Sequence, residues 1–169
     1  MKKDIVIRLA RPSDARNMAE VGMRSWEVAY KGIMPEEYIR EKNATRPAQF
    51  AQNITDENTY AYVAQYNGKT VGIMRIAPPV DDDVCENTYE IHYIYLHPDY
   101  FRMGIGTEMM EFAYDIARGL GKAIMVVWVL AENVDSIRFY EKCGFVADGK
   151  SQMTERGRML EQIRMRKCL

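Results

Sequence analysis

The sequence predicts an α/β protein built on one mixed β-sheet with helices over its faces. Three observations carry this. Segments of strand period alternate with segments of helix period along the chain. Asn67-Gly68 sits between two strand-like runs, a strong hairpin signal. The run "AIMVVWVL" is apolar on both faces, as expected for a buried interior strand.

The elements follow in order. "DIVIRLA" alternates as a first strand, and "RPSDA" carries helix-start chemistry. Ala15, Met18, Val21, Trp26 and Ala29 then fall on one side of a helix ending near Gly32. Pro35 opens a short second helix, "PEEYIREK". "NTYAYVAQYNGKTVGIMRIAPP" is the hairpin. Pro78, Pro79 and the acidic run Asp81–Asp83 form a loop, followed by the aromatic and β-branched strand "TYEIHYIYL". A helix runs from Gly104 to about Arg118 and is stopped by "GLG". After "AIMVVWVL" comes a helix, "NVDSIRFYEKCG", with Asn133 as its cap and Gly144 as its stop. "FVADGK" and "MLEQIRMRK" close the chain as strands. The total is about seven strands.

With 169 residues, one domain over 1–169 is expected. A composition 47% apolar and 28% charged is that of a globular chain, and a net charge of −1 argues against a nucleic-acid or membrane-surface binder. Cys85, Cys143 and Cys168 have no metal-ligand spacing and read as free thiols. No stretch has the length of a signal-peptide core or a membrane span. The expected location is cytoplasmic.

The stretch "HPDYFRMGIGTEMM" places Gly104 and Gly106 at a helix start. A dinucleotide fingerprint needs a third glycine where Met109 stands, and no Lys-Ser or Lys-Thr pair follows for a P-loop. The first N–H groups of a helix have no intrahelical partner, and two absent side chains let a pyrophosphate approach them. A loop that merely tolerates glycine is the competing reading. Downstream, "NVDSIRFYEKCGF" supplies a second motif at a fixed spacing.

Together, "EIHYIYLHPDYFRMGIGTEMMEFAYDIA" and "NVDSIRFYEKCGF" resemble the GNAT superfamily of acyl-CoA-dependent N-acetyltransferases. The opening "RLARPSDA…RSWEVAYKGIMPEEY" is also similar to many members, so the resemblance spans nearly the whole chain. It implies a sheet whose fourth and fifth strands splay to admit the pantetheine arm. It implies acetyl-CoA as cosubstrate, no metal, and direct transfer to an amine in a ternary complex. Phe101 departs from the pattern, which has Gln or Arg there, with Arg102 one place late.

Carried over residue by residue, the resemblance assigns cofactor contacts to the strand edge Ile94, Tyr95 and Leu96. It adds the turn Arg102, Met103, Gly104, Ile105, Gly106 and Thr107, and Asn133 and Ser136 at the last helix. Tyr140 matches the tyrosine that protonates the leaving thiolate. Glu90 stands where many members keep a glutamate base, with His92 and water as competitors. By simple alternation Glu90, His92, Ile94 and Leu96 share one face, unless a bulge resets the register. Trp26 and Tyr30 fall where relatives line the acceptor cleft. An amine of pKa about 10.4 must give up its proton, which at pH 7 costs about 4–5 kcal/mol, so a base is required.

The acceptor is expected to be a small amine or polyamine. A protein N-terminus or lysine is the alternative, and a non-catalytic CoA-binding sensor is the rival from another class. The acidic run Asp81–Asp83 is expected either to sit in solvent or to draw cations to the cleft. A homodimer stays open.

Overall fold

The computed structural model describes residues 4–55 and 60–169. Residues 1–3, with the two N-terminal lysines, and Asn58 and Thr59 of the expected hairpin lie outside the described residues. The strands are β1 (Ile5–Leu9), β2 (Tyr60–Tyr66), β3 (Lys69–Ala77), β4 (Thr88–Leu96), β5 (Ile124–Leu130), β6 (Val146–Glu155) and β7 (Met159–Cys168). The helices are α1 (Ala15–Ala29), α2 (Glu36–Thr55), α3 (Ile105–Gly119) and α4 (Val134–Lys142).

The strands form one sheet in the order β1-β2-β3-β4-β5-β7-β6. All pairings are antiparallel except β4 with β5. That pair must be joined by a crossover, and α3 is the crossover helix. It buries Ile105, Met109, Met110, Ala113 and Ala117 against Met74, Ile76, Ile91 and Met125, forming the main core. A second cluster, with Met18, Val21 and Phe50 over Val63 and Ile73, lies under α1 and α2. Met34, Ile39, Leu130 and Leu160 make a third beside it.

Two elements exceed their sequence outlines. The second helix, expected over residues 35–42, continues to Thr55 with Pro47 inside it. Its buried stripe is Ile39, Asn43, Arg46 and Phe50. Two of those four positions are polar, which hides the helical period. The strand read as "FVADGK" extends to Glu155 because Ser151 to Glu155 pair with Ile163 to Met159. It is an edge strand and mostly exposed, so it carries no apolar signature.

The "RPSD" segment forms a single 3-10 turn before α1. Asp14, 5% exposed, accepts two hydrogen bonds from Arg8 at 2.8 and 2.9 Å and one from the Arg11 amide at 2.7 Å. The Arg8 hydrogen bond holds its carboxyl below the ordinary range, burial opposing. That stabilisation is complete above the unfolded-state pKa of about 4 and is lost as pH falls through the lower folded value. Asp14→Asn is expected to cost about 2 kcal/mol at pH 7, roughly 4–8 °C in Tm. The two melting curves should converge as pH falls through the lowered folded value; an equal gap at every pH would show that the ion pair is not the source.

Candidate active site

β4 and β5 pair only from Thr88↔Ile124 to Ile91↔Val127. Beyond that, β4 follows β3 as far as Leu96↔Gly72, and β5 follows β7 as far as Leu130↔Gln162. The peptide groups of residues 92–96 that face β5 therefore have no strand partner. The gap is part of a cleft of about 330 Å³. Ile94 and Tyr95 line it from β4, Val129 and Leu130 from β5, and Asn133, Ser136 and Tyr140 from the last helix and its cap.

Asn133 caps α4, its side-chain oxygen accepting from the Ser136 amide at 3.2 Å, and is 5% exposed. Tyr140 is 7% exposed and packs on Phe139 and Phe145. Burial, with Tyr95 and Cys143 nearby, raises its hydroxyl well above the ordinary tyrosine range, so it keeps its proton.

The glycine turn sits at the start of α3. Gly104, at φ +82°, is the N-cap, and Arg102 is also left-handed at φ +60°. Ile105 is fully buried and Met103 packs on the main core, so both spend their side chains inward. What this turn offers an anion is backbone N–H, the exposed Thr107 and the exposed Arg102. Phe101 is 41% exposed and supplies no polar group. A Cβ on Gly106 would lie 3.3 Å from the Phe139 ring, so this glycine also sets the approach of α3 to α4.

Simple alternation does not hold along β4. The register shifts between Ile76↔Ile91 and Arg75↔Tyr93, leaving His92 as the extra residue. Ile91, Ile94 and Leu96 face the α3 core, while Tyr93 and Tyr95 pack toward α1 and α2. Glu90 thus shares its face with Tyr93 and Tyr95, not with Ile94 and Leu96. It is 7% exposed; one oxygen accepts from the Val80 amide at 3.2 Å and lies 3.9 Å from His92 Nε2. Burial raises its pKa, and His92 and the Val80 hydrogen bond oppose the rise. His92, not Glu90, lines the cleft, with Nε2 3.2 Å from the Pro78 carbonyl.

Asp82 of the acidic run is exposed, whereas Asp81 and Asp83 are paired within the chain and are not free charges at the cleft. Arg164, 6% exposed, bonds Asp81 at 3.1 Å and Asp83 at 2.8 and 3.2 Å, and also holds Asp148. Lys150 reaches Asp83 at 2.9 Å, and the Trp128 indole donates to Asp81 at 2.9 Å. The loop is thereby tied to β5, β6 and β7.

The other end of the cleft lies under α1 and α2. Trp26 and Tyr30 meet edge to face at 5.0 Å. The Arg46 guanidinium stacks 3.9 Å from the Trp26 ring centroid and donates to Asn43 at 2.7 Å. Burial lowers its pKa, and the neighbouring Tyr95 and Tyr30 work against that. Burial likewise pushes Tyr30 far up. Among the described residues, no group of three or more His, Cys, Asp and Glu is placed to hold a metal ion, and no helix is long and apolar enough to cross a membrane.

Residues 23–145 match the Acetyltransferase (GNAT) family. The chain belongs to that family. It is 30% identical over 101 residues to an L-amino acid N-acyltransferase of Escherichia coli, a match covering 59% of this chain and 58% of that protein's length. It is 26% identical over 147 residues to a spermidine N(1)-acetyltransferase of Thermoplasma acidophilum, covering 83% of this chain and 88% of that one. Its fold superposes on the crystal structure of PaiA N-acetyltransferase from Thermoplasma acidophilum in complex with coenzyme A. The TM-score is 0.80 at 23% identity, covering 98% of this chain and 99% of that chain.

Within this GNAT fold the structure brings Trp26, Tyr30, Ile94, Tyr95, Asn133, Ser136 and Tyr140 to one cleft, and leaves the glycine turn and Glu90 outside its lining. Arg46 and Trp128 also line the cleft, and sequence reasoning passed over both. The signal for Arg46 was its spacing from Ile39 and Phe50; nothing local marks Trp128. Because Asp81 and Asp83 are bound to Arg164, changing both to Asn should lower Tm by several degrees. Added salt should not reproduce the loss, since Arg164 is buried. An unchanged Tm would mean the ion pairs do not hold the loop.

Proposed function

We propose that this GNAT protein transfers the acetyl group of acetyl-CoA directly to the primary amine of a small molecule. The observation that carries the reading is the parting of β4 from β5, with Tyr140 in the opening. The thioester supplies an activated acetyl group. Unpaired peptide groups at Ile94, Tyr95 and Leu96 fit the amides of a pantetheine arm, as an added strand would. The N–H groups from Arg102 to Thr107 fit its pyrophosphate, since they need no side chain at Phe101. Asn133 and Ser136 stand on the rim where that arm would pass.

The residues divide the proton work. The Glu90–His92 pair, directly or through water, takes the proton of the attacking amine. His92 faces the cleft, and burial brings Glu90 nearer to neutrality, where a base works best. A backbone N–H of the β4 edge donates to the carbonyl oxygen as it gains charge. As the carbon–sulfur bond breaks, the Tyr140 hydroxyl gives its proton to the sulfur, and its raised pKa keeps that proton available until then.

Two measurements test the division of roles. Tyr140→Phe should lower thiol release from acetyl-CoA by one to three decades. It should still gain roughly 5–10 °C in Tm at CoA near 100 times its Kd, a shift that NAD and ATP do not give. Normal turnover in that variant would make water the proton donor.

Glu90→Gln should cut kcat/KM by about a hundredfold and remove the acid limb of its pH profile, a limb set above the ordinary carboxylate value. If His92→Gln removes the limb and Glu90→Gln does not, the histidine is the base.

A further inference from the structure

The cleft carries a charge that its own residues leave unanswered. Arg46 is 4% exposed, and among the described residues it forms no ion pair with a carboxylate. Its Nε is used by Asn43, but its Nη2 is buried without a hydrogen-bond partner. The Nε1 of Trp26, the ring on which Arg46 stacks, is likewise buried and unpartnered. Two donors side by side, one of them charged, lie in the wall of the cleft. Among the described residues the cleft has no Asp or Glu in its lining, whereas Lys42 and Arg156 add to its positive side.

A guanidinium does not shed its proton when buried, so it remains a cation that water has partly abandoned. Water could satisfy the two donors but not the charge. The cofactor's phosphates do not account for it either, because the glycine turn belongs to the α3 face, and Arg46 lies with Trp26 and Tyr95 on the α1 and α2 face. A carboxylate answers both needs: it has two acceptor oxygens and one negative charge, and it matches the flat fork of arginine.

We propose that Arg46 is the anion anchor of the acceptor cleft, and that the acceptor is a small primary amine carrying its own carboxylate, of the amino-acid type. This deepens the acetyl-transfer reading and rests on it for the fate of the amine. The amine is placed toward Tyr95, which neighbours both Arg46 and Tyr140, so one small molecule reaches the anchor and the reacting centre together. Among the described residues a polyamine finds no counter-charge in the lining, since Asp81 and Asp83 are occupied by Arg164.

The test compares the twenty common L-amino acids with their carboxamides, with tyramine and spermidine alongside, in the acetyl-CoA thiol-release assay. The amine of a carboxamide is less basic and more often neutral, so any preference for the free acid reports recognition and not reactivity. The best free acid is expected to exceed its carboxamide at least tenfold in kcat/KM. In Arg46→Gln that ratio should fall to within about threefold of unity through KM, with the CoA-induced rise in Tm retained. Arg46→Lys should keep part of the preference, because it keeps the charge and loses the fork.

Carboxamides, tyramine or spermidine serving as well as the free acids in the unaltered protein would overturn the proposal, whatever the variants do. So would an Arg46→Gln ratio equal to wild type. If no amine is acetylated, the acetyl-transfer reading fails and the anchor is judged separately, from the Tm of the CoA-bound protein. A further rise with free acids, absent with carboxamides and lost in Arg46→Gln, upholds it. No acid-specific rise overturns it.

Discussion

The site depends on the divided allegiance of two neighbouring strands. β4 and β5 share a short parallel ladder, but each has a longer antiparallel partner on its other side. Past Ile91 and Val127 the outer ladders continue and the inner one ends. Backbone polar groups are left without partners in the middle of the molecule, a position where they are normally satisfied. The bulge at His92 falls at the same level, turning Tyr93 and Tyr95 to one face while Ile94 and Leu96 keep the other. The opening thus has a distinct chemical character on each side of the sheet.

Two buried arginines show how the fold uses charge. Arg164 and Arg46 are equally withdrawn from water, at 6% and 4% exposure. Arg164 gathers three aspartates and fastens the loop before β4 to the far strands; its purpose is fulfilled within the chain. Arg46 has an aromatic ring, an amide oxygen and no carboxylate. Removing a charge from water costs on the order of several kcal/mol, and one left uncompensated inside a stable fold points outside the chain for its partner.

The legible parts of the sequence were those where local pattern and final environment agree. The seven strands, the hairpin at Asn67-Gly68, the Asn133 cap and the start of α3 at Gly104 were readable because turn and cap chemistry is local. The extent of α2 was hidden by Asn43, Arg46 and Pro47, and that of β6 by its exposure. The face of Glu90 could not be read, since one extra residue inverts alternation and no composition announces it. The pairing of Asp81 and Asp83 is not legible in the sequence because Arg164, their partner, comes some eighty positions later in the chain. Arg46 was overlooked for a related reason: its meaning lies in contacts that three-dimensional packing creates.

The apolar interior is partitioned. α3, β4 and β5 share the main cluster, while α1 and α2 close smaller ones on the opposite face. The half that presents the glycine turn and the half that presents Arg46 and Trp26 therefore solidify around different sets of side chains. Such a molecule is modular under selection. If Arg46 anchors the acceptor, substitutions along α2 would change the compound that is modified while the cluster around α3 keeps its packing. Wide divergence in sequence among proteins of one shape is the natural outcome of that separation.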